Sequence, residues 1–303
     1  MGEDTGEGQE SLPRKVRECQ KEERNMAKIY AREELLGRYR AKIQQKQALL
    51  FCGVGTGLIA RICDSAGVDL MGVYNSGRLR MNGIAAIAGN LPVTDANGMV
   101  LEMGERDILP QVKQTPVIAG IFGVDPTRDM ERFLHKLQEL GFSGVQGFPT
   151  VGKIGGQLRA ELEQVGLGFQ KELSTLKTAR NMGMLTMSYC YNVEEARMIA
   201  DAGIDIIVSH MGLTKGGDVG TREQSPLDVA AERSDEILRA AREGNPEIIP
   251  MCHGGSITSP EDAKYVMDHS IAVGFVGASS IERIPTETAV RQVCREYLAI
   301  RLR

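Results

Sequence analysis

Two of the four histidines stand where an apolar run ends in a small-residue loop. His253 opens the run His-Gly-Gly-Ser, and His210 opens the run His-Met-Gly-Leu-Thr. Imidazole titrates near neutral pH, so either side chain can relay a proton or donate to a developing oxyanion. The structural alternative is a histidine satisfied by backbone at a strand end. His135 and His269 fall within helical patterns and are interpreted as surface or helix-end groups.

Glycine and serine follow the last two apolar runs, as they do where the final loops of an eight-fold barrel present backbone N–H groups to a phosphate or carboxylate. The residues predicted to cradle such an anion are Gly254, Gly255, Ser256, Gly277, Ala278, Ser279 and Ser280, and further binding candidates after earlier runs are Gly55, Thr56, Ser76 and Thr150.

Two arginines, Arg78 and Arg80, are natural clamps for a carboxylate or phosphate, although an arginine in a loop is as often simply solvated. The working hypothesis is that Arg78 closes over the anion, that His253 or His210 moves the proton, and that Tyr74 and Asn75 orient the reacting carbonyl.

The sequence allows a metal site but contains no clear set of ligands for one. Two histidines on different strands could share a metal with a carboxylate, yet neither strand end carries Asp or Glu. Glu102 and Asp125 are the weak candidates. Glu102 lies on a helix face, where carboxylates are usually solvated, and Asp125 before Pro126 is equally explained as a helix cap. The cofactor therefore stays unknown, with magnesium not supported by the end of the third strand.

Eight apolar runs separated by amphipathic segments must position these groups. The predicted strands are Leu49–Val54, Leu70–Tyr74, Pro116–Phe122, Gly144–Phe148, Leu185–Tyr189, Asp205–His210, Ile248–Cys252 and Val273–Val276. Because the runs are continuous and not alternating, both faces should be covered, which is typical of parallel strands inside a ring of helices. The pattern predicts an α/β fold, a (β/α)8 barrel whose strand ends gather the candidates. A doubly wound open sheet competes, but no complete Gly-x-Gly-x-x-Gly motif supports it.

Three long stretches are predicted to be loops over the barrel mouth. They are Asn75 to Asn97, Val151 to Gly168, which contains Lys153 and Arg159, and Gly212 to Gln224. Loops of this length usually act as lids or binding walls.

The remaining chain is divided by composition. Residues 1–25 are rich in Glu, Lys, Arg and Gly and are predicted to be a disordered leader. Residues 26–47 have helical apolar spacing, which predicts a helix packed on the barrel or on a neighbouring subunit, and residues 48–303 form the barrel domain.

Bulk properties exclude some partners. With 36 basic and 40 acidic residues the net charge is −4, too acidic to hold nucleic acid by counterion release. We expect neither a signal peptide nor a membrane span, since the first residues are acidic and no window of about 18 apolar residues occurs. Six scattered cysteines favour reduced thiols and a cytoplasmic protein.

Several sequence blocks resemble a known family. They are Gly53–Leu58, Val73–Arg78, Gly144–Gly152, His210–Thr214, Cys252–Gly255 and Gly277–Arg283. These blocks are similar to the phosphoenolpyruvate hydrolase-like TIM-barrel domain family, which includes the carboxyl-terminal domain of the tomato mosaic virus resistance protein. A more distant likeness is to the phosphoenolpyruvate mutase and isocitrate lyase superfamily. There the third strand ends in an acidic pair that holds magnesium, whereas here Ala119–Gly123 contains no carboxylate.

The expected function is an enzyme that cleaves or hydrolyses a small phosphorylated or carboxylated 2-oxo or enol compound. The alternative is a catalytically silent TIM-barrel protein that acts through a macromolecular partner, as the resemblance allows. An amphipathic helix from Met26 to Ile43 also suggests a homo-oligomer.

Overall fold

Eight parallel strands close into a barrel in sequence order, with β1 paired to both β2 and β8. The computed structural model describes residues 27–302, so the leader predicted for residues 1–25 lies outside the described part. The strands are β1 Leu49–Val54, β2 Leu70–Val73, β3 Val117–Ile121, β4 Gly144–Gly147, β5 Leu185–Cys190, β6 Ile206–His210, β7 Ile249–His253 and β8 Gly274–Gly277. This topology confirms the predicted fold class.

Helices surround the barrel. They are α1 Arg32–Gln44, α2 Gly57–Ala66, α3 Asn75–Met81, α4 Ala96–Glu102, α5 Met130–Leu140, α6 Gly156–Gln164, α7 Phe169–Asn181, α8 Val193–Asp201, α9 Leu227–Gly244, α10 Pro260–Asp268 and α11 Arg283–Leu298. The chain leaves α4 through a π-helical turn, Met103–Ile108. Within residues 27–302 no helix has the length and apolarity needed to cross a membrane.

The strands form because their residues are buried on both faces. One set of apolar side chains fills the barrel interior, and a second lies between the strands and the helices. At the amino-terminal ends of the strands the expected left-handed glycine caps occur, with φ of 76° at Gly67, 113° at Gly141 and 70° at Gly203. Each glycine ends one helix and starts the turn into the next strand.

Helix α1 covers the amino-terminal end of the barrel. Leu35, Leu36 and Tyr39 are buried, and the Tyr39 ring lies 5.3 Å from that of Phe51 inside the barrel. Arg32 Nε donates to both oxygens of buried Asp205, at 2.9 and 3.0 Å. The helix thus packs on its own barrel, and the opposite end is left for the site.

Two of the three stretches predicted to be loops contain helices. The first holds α3 and a 3-10 turn, Ala86–Asn90, and the second holds a 3-10 turn, Val151–Lys153, and α6. The sequence predicts a loop in place of α3 because residues 75–97 have too little apolar periodicity. Helix α3 packs closely against the turn after β1, where a Cβ on Gly55 would lie 2.3 Å from the Gly77 oxygen.

Candidate functional site

Side chains from six strand ends surround one cavity at the carboxyl-terminal end of the barrel, here called the mouth cavity. Its accessible volume is about 50 Å³, within about 490 Å³ of non-atom space that includes open solvent. Six predicted site residues line it: Tyr74, Ser76, His210, His253, Ala278 and Ser279. Residues outside the predicted set also line it, among them Arg80, Phe148, Lys153, Tyr189 and Thr214.

The two histidines meet because β6 and β7 are neighbours and His210 pairs with His253 in their register. Their ring centroids are 4.6 Å apart with the planes at 81°. Tyr189, at the end of β5, stacks on His253 at 5.2 Å and meets His210 edge-on at 4.8 Å. Both imidazoles are thereby held rigidly in the cavity wall.

Backbone contacts give the two histidines opposite tautomers. The Gly212 N–H donates to His210 Nδ1 at 3.0 Å, so neutral His210 carries its proton on Nε2. In contrast, His253 Nδ1 lies 2.5 Å from the Val276 carbonyl oxygen, to which it must donate. Neutral His253 therefore keeps a lone pair on Nε2. One ring offers the cavity a donor and the other an acceptor.

Burial keeps both rings neutral. Desolvation lowers the pKa of His253 to about 4. The pKa of His210 lies well below its usual value, because of burial first and then repulsion by His253 and Lys153. At neutral pH the pair can therefore offer one hydrogen-bond donor and one proton acceptor.

A buried ion pair supplies a cationic group. Arg80 Nε donates to Glu282, and the second oxygen of Glu282 accepts from the Gly55 N–H at 2.8 Å. Both side chains are almost fully buried, and Arg80 Nη2 has no hydrogen-bond partner within residues 27–302. Burial raises the pKa of Glu282 against the opposing charge of Arg80. The free guanidinium donor suits a carboxylate or phosphate oxygen.

Lys153 approaches the cavity from the turn after β4. The turn is fixed by Thr150 Oγ1, which accepts from the Gly152 N–H at 3.0 Å, and by Glu172, which accepts from the Val151 N–H at 2.9 Å. The Lys153 Nζ lies 5.6 Å from the centroid of the Tyr191 ring. Burial lowers the pKa of Lys153.

Other predicted residues lie outside the mouth cavity. Arg78 points away from it and pairs with Asp107 at 2.8 Å and Glu102 at 3.3 Å. It lines a separate surface cleft with Gly55 and Thr56. The structure thus does not bring Arg78 to the histidines. The arginine that lines the mouth cavity is Arg80.

The predicted glycine cradle is largely occupied by other backbone. Gly254 and Gly255 have φ of 75° and 63°, and the Gly255 N–H donates to the Gly212 oxygen at 2.9 Å. These glycines allow the loops after β6 and β7 to approach closely. Gly277 packs under Ile281. Neither Ser256, whose Oγ is buried, nor Ser280 is among the lining residues.

Asn75 and Thr150 support the wall from behind. Asn75 Nδ2 donates to the Gly89 oxygen at 2.9 Å, and its Oδ1 accepts from the Ser76 N–H at 2.8 Å. Both polar atoms are therefore used within the protein. Tyr74 does line the cavity, and its hydroxyl donates to Gln146.

The carboxylates near β3 do not fit a magnesium site. Within residues 27–302 no three His, Cys, Asp or Glu side chains are grouped to hold a metal. Although burial opposes it, hydrogen bonds from Thr127, Arg128 and Asn97 hold the pKa of Asp125 at about 2. Asp125 caps only the turn at Thr127, since the N-cap of α5 is Asp129, and Glu102 is exposed beside Arg78.

Two residues that line the cavity, Arg80 and Lys153, and the buried partner of Arg80, Glu282, have no role in the sequence-based hypothesis. The sequence marks Arg80, like Arg78, as a possible clamp for an anion, and it places Lys153 in a long predicted loop. Glu282 lies in the Gly277–Arg283 block that carries the family resemblance, but its role depends on contact with Arg80, 202 positions away. Its position just after β8 makes it a strand-end candidate, whereas the ion pair itself is visible only in the folded chain.

The fold and the cavity define a (β/α)8-barrel protein with a polar site at the carboxyl-terminal end of its strands. Residues 34–300 match the family described as phosphoenolpyruvate hydrolase-like. The chain belongs to this family, which confirms the resemblance seen in the sequence.

Two curated relatives come from Solanum lycopersicum. The chain is 43% identical to the ToMV susceptible protein tm-1(GCR26), over 88% of this chain and 35% of the relative. It is 42% identical to the ToMV resistance protein Tm-1(GCR237), over 90% of this chain and 36% of the relative. The chain thus spans about a third of the length of these proteins.

Solved structures share the fold. Phosphonopyruvate hydrolase in complex with oxalate and Mg²⁺ has a TM-score of 0.57 at 17% identity, with 86% of each chain covered. Phosphoenolpyruvate phosphomutase from Streptomyces platensis subsp. rosaceus has a TM-score of 0.58 at 15% identity, with 87% of each chain covered. Oxaloacetate acetylhydrolase with its product oxalate has a TM-score of 0.52 at 15% identity, with 89% of each chain covered.

Proposed function

We propose that the chain is an enzyme that cleaves or hydrolyses a small phosphorylated or carboxylated 2-oxo or enol compound in the mouth cavity. The observation that carries the proposal is the pair of neutral histidines with opposite tautomers beside a free guanidinium donor. Family membership supports it, as do the fold neighbours that hold the small dianion oxalate.

The chemistry assigned to each group follows from its protonation. Arg80 Nη2 binds the carboxylate or phosphate, with Ser279 beside it. His210 Nε2–H donates to the oxygen on which negative charge develops. His253 Nε2 accepts the proton from water or from the substrate. Because the β3 carboxylates do not fit magnesium, no step is assigned to a metal.

The test combines binding with turnover. Oxalate, pyruvate and phosphoenolpyruvate are screened by thermal shift, since a ligand that binds only the native state raises the melting temperature. Pyruvate release from oxaloacetate, phosphonopyruvate and phosphoenolpyruvate is then followed for wild type and His253→Gln. We expect the variant to bind oxalate but lose about 10²- to 10⁴-fold in turnover, the usual contribution of a general base.

The matched control is His269→Gln, which changes an exposed histidine stacked on Tyr265 and should leave turnover unchanged. Full turnover by the His253 variant, or absence of binding for all these anions, would contradict the proposal.

We also propose that the chain forms a homo-oligomer, with α11 as the contact surface. Of its 16 residues only Arg283 is buried, whereas Val293, Tyr297 and Leu298 are exposed by 47 to 79%. On α2, Leu58 and Ile62 are exposed as well, by 58 and 52%. A second copy of the chain would bury these apolar side chains. Helix α1, from which the sequence suggested an oligomer, does not support one because it packs on its own barrel.

A cytoplasmic location is part of the same proposal. All five cysteines of residues 27–302 are free, and four of them are buried. Free thiols in this number are usual in a reducing compartment.

A further inference from the structure

Lys153 is a primary amine in the wall of the mouth cavity, and no carboxylate of the described residues pairs with it. It lines the cavity with both site histidines. Within residues 27–302 it forms no ion pair, and its only aromatic neighbour at cation–π distance is Tyr191, 5.6 Å from Nζ to the ring centroid. A lysine that is desolvated and lacks a counter-ion is more easily converted to the neutral, nucleophilic amine.

The turn that carries Lys153 is held in place from below. Glu172 accepts from the Val151 N–H, and Arg159 Nη1 donates to the Val151 oxygen at 2.9 Å and to Glu195 at 3.2 Å. These carboxyl groups bind the backbone of the turn and Arg159, and neither forms an ion pair with the amine. The structure therefore fixes the turn that carries Lys153, while Nζ has no ion-pair partner among residues 27–302.

We infer that Lys153 is a further catalytic residue, whose amine attacks the 2-oxo carbon of the substrate and forms an imine. This inference rests on the proposed function, which supplies the 2-oxo group. His210 Nε2–H is the donor available to the carbonyl oxygen, and His253 Nε2 is the acceptor available to the amine protons.

The step balances without a further reagent. The amine nitrogen forms a bond to the carbonyl carbon while the carbonyl π bond breaks. Both amine protons pass in turn through His253 to the oxygen, which leaves as water. The imine nitrogen, once it has taken a proton from solvent, accepts the electron pair of a bond broken at the adjacent C3 carbon. The group lost from C3 leaves as carbon dioxide or is transferred to water. The resulting enamine takes a proton at C3, and water then hydrolyses the imine and releases the product from the lysine. A lysine thus supplies the electron sink that the carboxylates near β3 are not arranged to supply through a metal.

The experiment traps the imine. The full chain is incubated with pyruvate and sodium borohydride, and the mass of the intact protein is measured. Reduction of the imine adds the mass of pyruvic acid less one oxygen atom. We expect one such adduct, located at Lys153 by peptide mapping of the wild-type protein. It should be absent from Lys153→Arg, which keeps the positive charge, and present in Lys264→Arg, which alters an exposed lysine paired with Asp268.

The outcomes separate this inference from the proposed function. If pyruvate raises the melting temperature but no adduct forms, or if the adduct maps to other lysines, Lys153 does not form an imine and the proposed function stands. If pyruvate and the other anions neither bind nor turn over, both fail. Peptide mapping keeps the test valid even if the Lys153 variant does not fold.

Discussion

Replacing His253 and Glu172 separately by glutamine should tilt the pH dependence of stability in opposite directions. Burial lowers the pKa of His253 from 6.5 to about 4. Burial, with some repulsion from Glu195, raises the pKa of Glu172 from 4.5 to about 7. The two fully buried groups titrate over nearly the same pH interval with opposite effects.

The direction in which the free energy of unfolding changes with pH depends on whether the folded or the unfolded chain binds the proton. Between pH 6.5 and 4 the unfolded chain protonates His253 and the folded chain does not, so the free energy of unfolding falls as the pH falls. Between pH 7 and 4.5 the folded chain protonates Glu172 and the unfolded chain does not, so the free energy of unfolding falls as the pH rises. Each interval is about 2.5 pH units wide, and at roughly 1.4 kcal/mol per unit each effect is about 3 kcal/mol.

In the wild-type protein the two effects largely cancel. Relative to wild type, His253→Gln should become more stable on going from pH 8 to pH 4 by about 3 kcal/mol, and Glu172→Gln less stable by a similar amount. Urea unfolding followed by circular dichroism at half-unit pH steps measures both profiles. The exposed changes His269→Gln and Glu131→Gln serve as controls. Two variants that keep the wild-type profile, or shift it in the same direction, would refute the burial argument.

Two further predictions concern the ion pair and the oligomer. Glu282→Ala leaves Arg80 buried without its ion-pair partner and should lower the free energy of unfolding, measured in urea at pH 7, by about 3 to 5 kcal/mol. The control Glu247→Ala removes the partner of Arg40 in an exposed ion pair and should lower it by less than about 1 kcal/mol. Equal losses for the two variants would contradict the reasoning about the buried pair. Val293→Glu should shift the mass measured by analytical ultracentrifugation to that of a single chain, whereas Val229→Glu, an exposed valine on α9, should not; a wild-type chain that already sediments as a monomer would exclude the proposed interface.

The barrel could be predicted from the sequence because its evidence is local. Strands buried on both faces need continuous apolar runs, and glycine caps such as Gly67 and Gly203 mark the helix ends. The topological rule that the carboxyl ends of parallel strands share one rim then placed His210 and His253 at the same end. Strand boundaries were predicted to within one residue at each end for this reason.

The short helix α3 determines which of the two arginines, Arg78 or Arg80, enters the mouth cavity. In a loop the two arginines are equivalent, but in α3 residues two positions apart point to nearly opposite sides. One guanidinium therefore enters the mouth cavity and the other faces the outer cleft. The helix packs where Gly55 and Gly77 approach closely, a contact that local propensity does not reveal.

The protonation of the site also depends on the closed barrel. A histidine has the same pattern in the sequence whether its Nδ1 donates or accepts, and only the carbonyl of Val276 and the N–H of Gly212 distinguish the two rings. Likewise, Glu282 and Arg80 become a pair only when β8 closes against β1. Apolar patterning specifies which segments are buried. The protonation of the site groups, the tautomers of the two histidines and the choice of arginine that enters the cavity depend on neighbours that are distant along the chain and adjacent only after folding.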